Sequence, residues 1–388
     1  VSELNVVLDM GPAVHQNEGL SRYANRLATH LSQSQSKRLN LTLFYNEHSG
    51  HTLPAHLQKL PTRTIKLGQY RWRFGALASH YLRLRLLEKI IAPAKAGYSS
   101  HPAYIYHATE HLLPSLSTPT VLTIHDLIFE RYPKHHTRKN VLFLKFAVPL
   151  FVKAAQQIIA VSEHTKRDLI QLYRTPEHKV DVIYEGLDDE FSPANPNDVE
   201  TIRDRYSPNR PYLLMVGSLN PRKNHAASMK ALARLKARGY SHRLVIAGGS
   251  GWMFESVRQL VDRLQLENDV AFVGYVPESE LPALYTGADC VLVPSIYEGF
   301  GFSVLEAMAC GTPVVCSNVS SLPELAKDAA LVVSPNDIDA ITNAIYQILS
   351  QPNVAANLKA TGIERAARFR WETCAAQTVE LYQNLMNH

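Results

Sequence analysis

Short, almost unbroken apolar runs recur along the chain, each followed by a longer stretch with helical spacing. YLLMV (212–216), RLVIA (243–247) and CVLV (290–293) are apolar at nearly every position. Such runs suit strands buried on both faces of a parallel sheet; a half-exposed strand would alternate. The pattern predicts first-half strands over Asn5–Asp9, Leu41–Tyr45, Arg63–Lys66, Ala103–His107, Thr120–Ile124, Gln157–Val161 and Asp181–Tyr184. In the second half it predicts Tyr212–Val216, Arg243–Ala247, Val270–Val273, Cys290–Val293, Pro313–Cys316 and Leu331–Val333. Helical periodicity fills stretches such as Ala226–Arg238 and Met253–Leu266. Strand–helix alternation of this kind implies doubly wound α/β domains.

The segment Gly186–Arg210 holds Pro193, Pro196 and Pro208 among Asp, Asn and Ser, the composition of a linker. It separates an N-terminal Rossmann-like domain, 1–186, from a C-terminal one, 187–370. Trp371–Met386 is a last helical pattern after the final strand. Two such sheets facing each other would make a cleft, because open parallel sheets bind ligands at the carboxyl ends of their strands.

Composition narrows the class. At 388 residues, 46% hydrophobic and 19% charged, the chain fits two globular domains and excludes disorder, collagen and coiled coil as whole-chain readings. The most apolar stretch, Val141–Ala155, is broken by Lys145 and Pro149 and falls short of the ~18–20 residues of a membrane span. No basic region followed by an apolar run opens the chain, so no signal peptide is expected. The four cysteines, Cys290, Cys310, Cys316 and Cys374, form no C-x-x-C pair and read as small buried hydrophobes in a reducing cytosol.

Net charge is +5, unevenly placed. Residues 1–186 carry 23 Lys+Arg against 13 Asp+Glu, and residues 187–388 carry 17 against 22. A basic half suggests an anionic partner, with incidental surface charge as the plainer account. The basic, apolar-studded segment Tyr70–Ile90, with Trp72, Phe74, Leu82, Leu86 and Leu87, would as a helix suit an anionic membrane surface; an ordinary amphipathic surface helix fits it as well. No nucleic-acid motif accompanies the charge, so nucleic acid is not an expected partner.

The densest chemical signal is PSIYEGFGFSVLEAMACGTPVV (294–315). A strand runs into a glycine-rich turn, Glu298–Phe302, and then a helix. Glycines let backbone approach a ligand, and a helix start binds anions. The Phe302 and Ser303 amides after Gly301 are therefore placed for a phosphate. Glu298 before the helix and Glu306 one turn inside it can reach different parts of one extended ligand. Turn glycines and a helix acid are the plainer alternative. A second signal, GSLNPRKN (217–224), puts Ser218, Arg222 and Lys223 at a strand's carboxyl end, where adjacent cations suit a diphosphate. A third is His125–Asp126 at the end of TVLTI, for contact with a sugar or for packing. A fourth is Gly19 in NEGLSRYANRL, which is a weak phosphate loop or simply a helix start.

Several chemistries are disfavoured. GGSGWMF after RLVIA lacks the third glycine and following acid of a nicotinamide site, and no Walker lysine motif occurs. The histidine clusters lack partnered metal-ligand spacing and no Asp-x-Asp sits at a strand end, so no metal and no cofactor is expected.

Taken together, TIHDLIFERYP (123–133), AVSEHTKRDL (160–169), GSLNPRKN, FVGYVPESELPALY (272–285) and the 294–315 segment resemble glycosyltransferase family 4, in particular its bacterial mannosyltransferase-like members of polysaccharide assembly. Glu298 and Glu306 match the family's E-x7-E motif. The resemblance covers nearly the whole chain and implies the GT-B fold, two Rossmann-like domains facing a central cleft. The first domain would take the acceptor, with the helix 371–388 crossing back to it, and 187–370 would bind the nucleotide sugar. By the same resemblance Glu298 would orient the transferred sugar, Glu306 would hold the ribose, and Arg222 and Lys223 with the Phe302 and Ser303 amides would take the diphosphate. Val276 would meet the base and His125 the donor sugar. Relatives often show two glycines in the first loop, where this chain has Glu18-Gly19, which weakens a phosphate role for Gly19.

The implied reaction is retaining transfer of a hexose from a nucleotide diphosphate sugar, GDP-mannose by likeness, to a glycan or lipid-linked glycan, without metal. The enzyme would be cytoplasmic or peripheral at the inner face of the plasma membrane. Asp126 is the one candidate for a carboxylate nucleophile; attack on the leaving-group face needs none. A retaining disaccharide phosphorylase, a nucleotide-sugar epimerase and a non-catalytic sugar-binding module remain open.

Overall fold

The computed structural model describes residues 3–15, 18–33, 39–82, 87–93, 104–135, 137–249 and 254–387. It divides into two compact units, 1–186 with 371–388, and 187–370.

The first unit is a seven-stranded sheet: β1 (Leu4–Asp9), β2 (Leu39–Asn46), β3 (Thr62–Ile65), β4 (Tyr104–Ala108), β5 (Thr120–Ile124), β6 (Gln157–Ala160) and β7 (Val180–Val182). The order is β3-β2-β1-β4-β5-β6-β7, and every pairing is parallel. The second unit holds β8 (Tyr212–Val216), β9 (Arg243–Ala247), β10 (Val270–Gly274), β11 (Cys290–Val293), β12 (Val314–Ser317) and β13 (Leu331–Val333). Their order is β10-β9-β8-β11-β12-β13, again all parallel. The doubly wound architecture expected from the apolar runs is thus what the chain adopts. Tyr104–Ala108 and Cys290–Val293 are buried at every position, the state in which an unbroken apolar run is stable and an alternating one is not. Val7, Phe44, Tyr106 and Phe151 centre the first core; Leu213, Met229, Leu292 and Ile345 centre the second. All four cysteines are free and buried.

In each unit the strand order reverses once, between β1 and β4 and between β8 and β11. Loops leaving neighbouring strands in opposite directions open a crevice there, which is where open α/β sheets hold ligands.

The expected strands all occur, with ends shifted by at most two residues. Ala103 of the expected fourth strand and Met253 of an expected helix lie outside the described residues. Two readings change. The segment 186–210 is not a linker: Pro196–Tyr206 is a helix, started by Asn195, whose side chain accepts from the Asp198 amide at 3.0 Å, with Pro196 in its first turn. Prolines and Asn near a helix start mimic loop composition because N-caps and loops favour the same residues. Leu187 already pairs with Arg370 inside the second unit, its amide bonding the Phe369 carbonyl at 2.9 Å. In the first unit Gly186 lies against the start of the helix Trp371–Asn387; a Cβ on it would fall 2.2 Å from the Trp371 nitrogen. Gly19 lies within the helix Glu18–Gln33, exposed in its first turn. No described helix is long and apolar enough to cross a membrane.

Candidate active site

The second unit's reversal point gathers most of the residues singled out in the sequence. After β8, Gly217 leads to a turn of 3-10 helix, Pro221–Lys223, started by Asn220, whose side chain accepts from the Arg222 amide at 3.1 Å. Asn224, in left-handed conformation, donates its side-chain amide to the carbonyls of Pro294 (3.2 Å) and Pro335 (2.8 Å). The Ile296 amide donates to the Arg222 carbonyl at 2.7 Å. These bonds tie the loop after β8 to the loop after β11. Gly217 is obligatory: its φ is +135°, and a Cβ would meet Lys223 Cε at 2.9 Å. Ser218 is half-buried on the same loop.

Glu298 is the hub. Its Oε1 accepts from Lys223 Nζ at 2.8 Å and Ser295 Oγ at 2.7 Å, while Oε2 takes Arg222. The Ser320 hydroxyl accepts from the Glu298 amide and Ser321 donates to its carbonyl, each at 2.9 Å, fixing the loop from beneath. Burial pushes the Glu298 carboxyl up, but Arg222 and Lys223 outweigh it and hold it down at about 2. Burial lowers the Lys223 ammonium from its usual range; Glu298 opposes that fall and Arg222 adds to it. His225, buried and beside Lys223, is pushed down to about 4. Two cations and the Glu298 carboxylate thus sit together in a largely desolvated pocket at the strand ends, with Glu306 near enough to act on Lys223.

Gly301, at φ +118°, caps the helix Phe302–Ala309, and a Cβ there would strike Leu322 at 2.7 Å. Phe302 and Ser303 follow at the helix's positive end. Glu306 lies one turn in, 6% exposed, its Oε2 accepting from the Tyr285 hydroxyl at 2.6 Å. Val276 is buried just after β10, beside the exposed Tyr275. The structure therefore brings Ser218, Arg222, Lys223, Glu298, Gly301, Phe302, Ser303 and Glu306 to one sheet edge, with Val276 just past the edge strand β10 of the same sheet.

His125 and Asp126 belong to the first unit and are accounted for there. His125 follows β5. Its Nδ1 meets Glu185 Oε1 at 2.8 Å and its Nε2 meets the Thr109 carbonyl at 2.9 Å. Both partners are acceptors, so the ring carries two protons. Burial works against that charge, but the hydrogen bond and charge of Glu185, with Thr109 and Asp126, raise the His125 pKa above its usual value. Any sugar contact by a ring N–H competes with Glu185 or Thr109. Asp126 Oδ1 accepts from the Ile128 amide at 3.1 Å, two residues ahead of the short helix Ile128–Arg131.

The first unit's own reversal point holds a pocket of about 210 Å³, lined by Asp9, His15, Asn46, His48, Arg73 and Glu110 among others. Asp9 ends β1, and burial together with Glu110 pushes its carboxyl up to about 8 against the Gly11 amide that bonds it at 2.9 Å. Burial likewise raises Glu110, with Arg73 opposing. His15 is pushed down to about 4 by burial and by His48 and His51.

Sequence reasoning missed Asp9, Glu110, Glu185, Tyr285 and the Ser295–Ser320–Ser321 support. Asp9 closes an apolar run at a strand's carboxyl end, a signal that could have found it. Glu185 and Tyr285 carry none, since each acts through a residue far away in sequence. No group of three His, Cys, Asp or Glu among the described residues is arranged to hold a metal ion.

Two family descriptions match the chain: "Glycosyltransferase Family 4" over residues 18–191 and "Glycosyl transferases group 1" over 198–365. The chain is 30% identical to O-antigen chain mannosyltransferase B of Escherichia coli over 390 residues, 98% of this chain and all of that protein. It is 31% identical to O-antigen chain mannosyltransferase RfbU of Salmonella typhimurium over 292 residues, 75% of each. Among solved structures it is similar to Anabaena Alr3699/HepE in complex with UDP and glucose, with a TM-score of 0.71, 21% identity and coverage of 98% of this chain and 99% of that one.

Proposed function

The chain belongs to glycosyltransferase family 4, with the GT-B fold, and from that premise we propose that it moves mannose from GDP-mannose to a glycan carried on a lipid, with retention and without a metal ion. The observation that carries the reading is the Arg222–Lys223–Glu298 cluster. Breaking the bond between a sugar and a diphosphate leaves charge growing on the leaving oxygen, and fixed cations in a dry pocket stabilise that charge most. Arg222 and Lys223 supply it, with the Phe302 and Ser303 amides at the helix start. Glu298 is their resident anion; a bound diphosphate takes over that role and leaves the carboxylate to accept from the sugar's hydroxyls. Glu306, oriented by Tyr285, receives the ribose hydroxyls, and the backbone near Val276 lies toward the base.

Attack from the leaving-group face suits the residues better than a covalent intermediate, because the Asp126 carboxylate already accepts from the Ile128 amide. The leaving phosphate then takes the acceptor's proton. His125 contributes a held positive charge from the first unit, and the pocket at Asp9 and Glu110 takes the acceptor's terminal sugar through its hydroxyls. The relatives named as O-antigen mannosyltransferases support mannose and a glycan acceptor; no nucleic acid is involved. A nucleotide-sugar donor puts the enzyme on the cytoplasmic side, at the inner face of the plasma membrane.

The test is incubation of the purified chain with labelled GDP-mannose and mannose-terminated glycans in EDTA, with the new linkage read by NMR. An α-linked product formed in EDTA supports the proposal. An inverted linkage, or activity restored only by a divalent ion, overturns that part of it. Phosphorolysis of disaccharides without nucleotide, or epimerisation of the donor alone, would overturn it outright. Thermal-shift comparison of GDP, UDP and ADP reads the base, since the ligand that binds the native state raises its stability.

A further inference from the structure

Of the seven large apolar side chains that are more than half exposed among the described residues, six fall on one region of the first unit. On the helix Gln69–Tyr81 and just beyond it, Tyr70, Phe74, Tyr81 and Leu82 are 58–75% exposed; on the helix Arg138–Ala154, Leu142 and Phe146 are 61% and 65% exposed. The two helices are neighbours. Arg73 donates to Asn140 at 2.9 Å and lies 4.2 Å over the Phe143 ring, and the Phe74 and Phe143 rings are 5.9 Å apart. Their inner faces, Trp72 and Ala76 on one and Leu144, Val148 and Phe151 on the other, belong to the core. Each helix is therefore apolar on two sides, and only one of those sides is used by the fold.

The two helices themselves carry charge of one sign. Neither 59–82 nor 137–154 contains a single Asp or Glu. Arg71, Arg138 and Lys139 are exposed and have no carboxylate partner among the described residues; Lys145 alone reaches one, Glu130 at 3.3 Å. The geometry points to a docking face for an anionic lipid bilayer, with Phe74, Leu142 and Phe146 entering the interface and the cations meeting headgroups. Apolar and aromatic tips ringed by unpaired Lys and Arg are what such an interface takes up. A second copy of the chain suits it poorly, since a two-fold contact would set cations against cations. An amphipathic surface helix expected over 70–90 is only half of this face: residues 83–86, including Leu86, lie outside the described ones, Trp72 points inward, and the second helix comes from the stretch that was merely too short to span a membrane.

This inference does not depend on the donor or the reaction. It is tested by flotation of the full chain with phosphatidylcholine vesicles, with and without phosphatidylglycerol. Binding is expected only with phosphatidylglycerol and is expected to fall as salt rises. Phe74→Ser with Phe146→Ser should cut partitioning at least about ten-fold, and Arg138→Gln or Lys139→Gln about five-fold each. Thermal stability and transfer to a soluble acceptor should stay unchanged. Equal binding to neutral vesicles, no binding to either, or full binding by the double Phe variant overturns the proposal. So does a dimer in light scattering that the Phe substitutions dissolve, or retention on RNA that matches retention on the anionic vesicles.

Discussion

Replacing Glu298 by Gln tests the electrostatic logic of the site most directly. The substitution keeps shape and leaves Arg222 and Lys223 side by side without their anion. The carboxyl is held at about 2 against a reference of 4.5, and at ~1.4 kcal/mol per unit that is about 3 kcal/mol of stabilisation at neutral pH. Solvent takes little of it back, because the Glu298 and Lys223 side chains are 7% and 13% exposed. Removing one partner of a buried pair costs about 3–5 kcal/mol, and at ~2–4 °C per kcal/mol the variant should melt roughly 6–20 °C lower. The folded pKa is depressed, so the contribution is complete above pH ~4.5 and is lost as pH falls through ~2; the gap between the two proteins should narrow as the solution is acidified. The second arm uses GDP. In the native protein the diphosphate displaces a resident carboxylate, and in the variant it meets two bare cations, so GDP should raise the melting temperature of Glu298→Gln by more than that of the native chain. Transfer should nonetheless fall, because the sugar loses its orienting group. Equal melting temperatures at pH 7, or a smaller GDP shift in the variant, would refute the reasoning.

Tyr285→Phe removes the hydroxyl that orients Glu306; GDP affinity measured by titration should fall about five-fold, the worth of one ~1 kcal/mol hydrogen bond, with little change in fold stability. Glu185→Gln takes the anion from His125, so the His125 pKa read by NMR should drop, and the variant should be less stable by about 2 kcal/mol below pH 6. A raised histidine stabilises fully below its unfolded value near 6.5 and ceases to do so as pH rises through the folded one, so the two proteins should converge in alkali. Asp9→Asn should do the reverse of a usual carboxylate substitution. A carboxyl raised to about 8 costs the fold nothing below pH ~4 and progressively more up to pH 8, so denaturant titrations should show the variant gaining on the native chain over that window, toward on the order of 5 kcal/mol.

The fold was largely legible along the chain because a strand buried on both faces must be apolar throughout, and runs such as CVLV and LLMV are local facts. The glycine turn before the helix Phe302–Ala309 was legible for the same reason: Gly301 needs its left-handed φ and its missing Cβ whatever the rest of the chain does. The segment 186–210 misled, because Asn195 and Pro196 start a helix with the same residues that make a loop.

What only the tertiary structure decided is which charges meet. The sequence by itself determined two parallel sheets and a set of polar residues at strand ends. Strand order decided that β8 lies beside β11, which sets Lys223 and Arg222 on Glu298 across some 75 residues of chain. It likewise set His125 on Glu185, and Asp9 near Glu110 at the other reversal point. Periodicity reports burial, which each residue satisfies against whatever packs on it; a charge pair depends on the identity of one distant partner, and nothing in the local pattern encodes that choice.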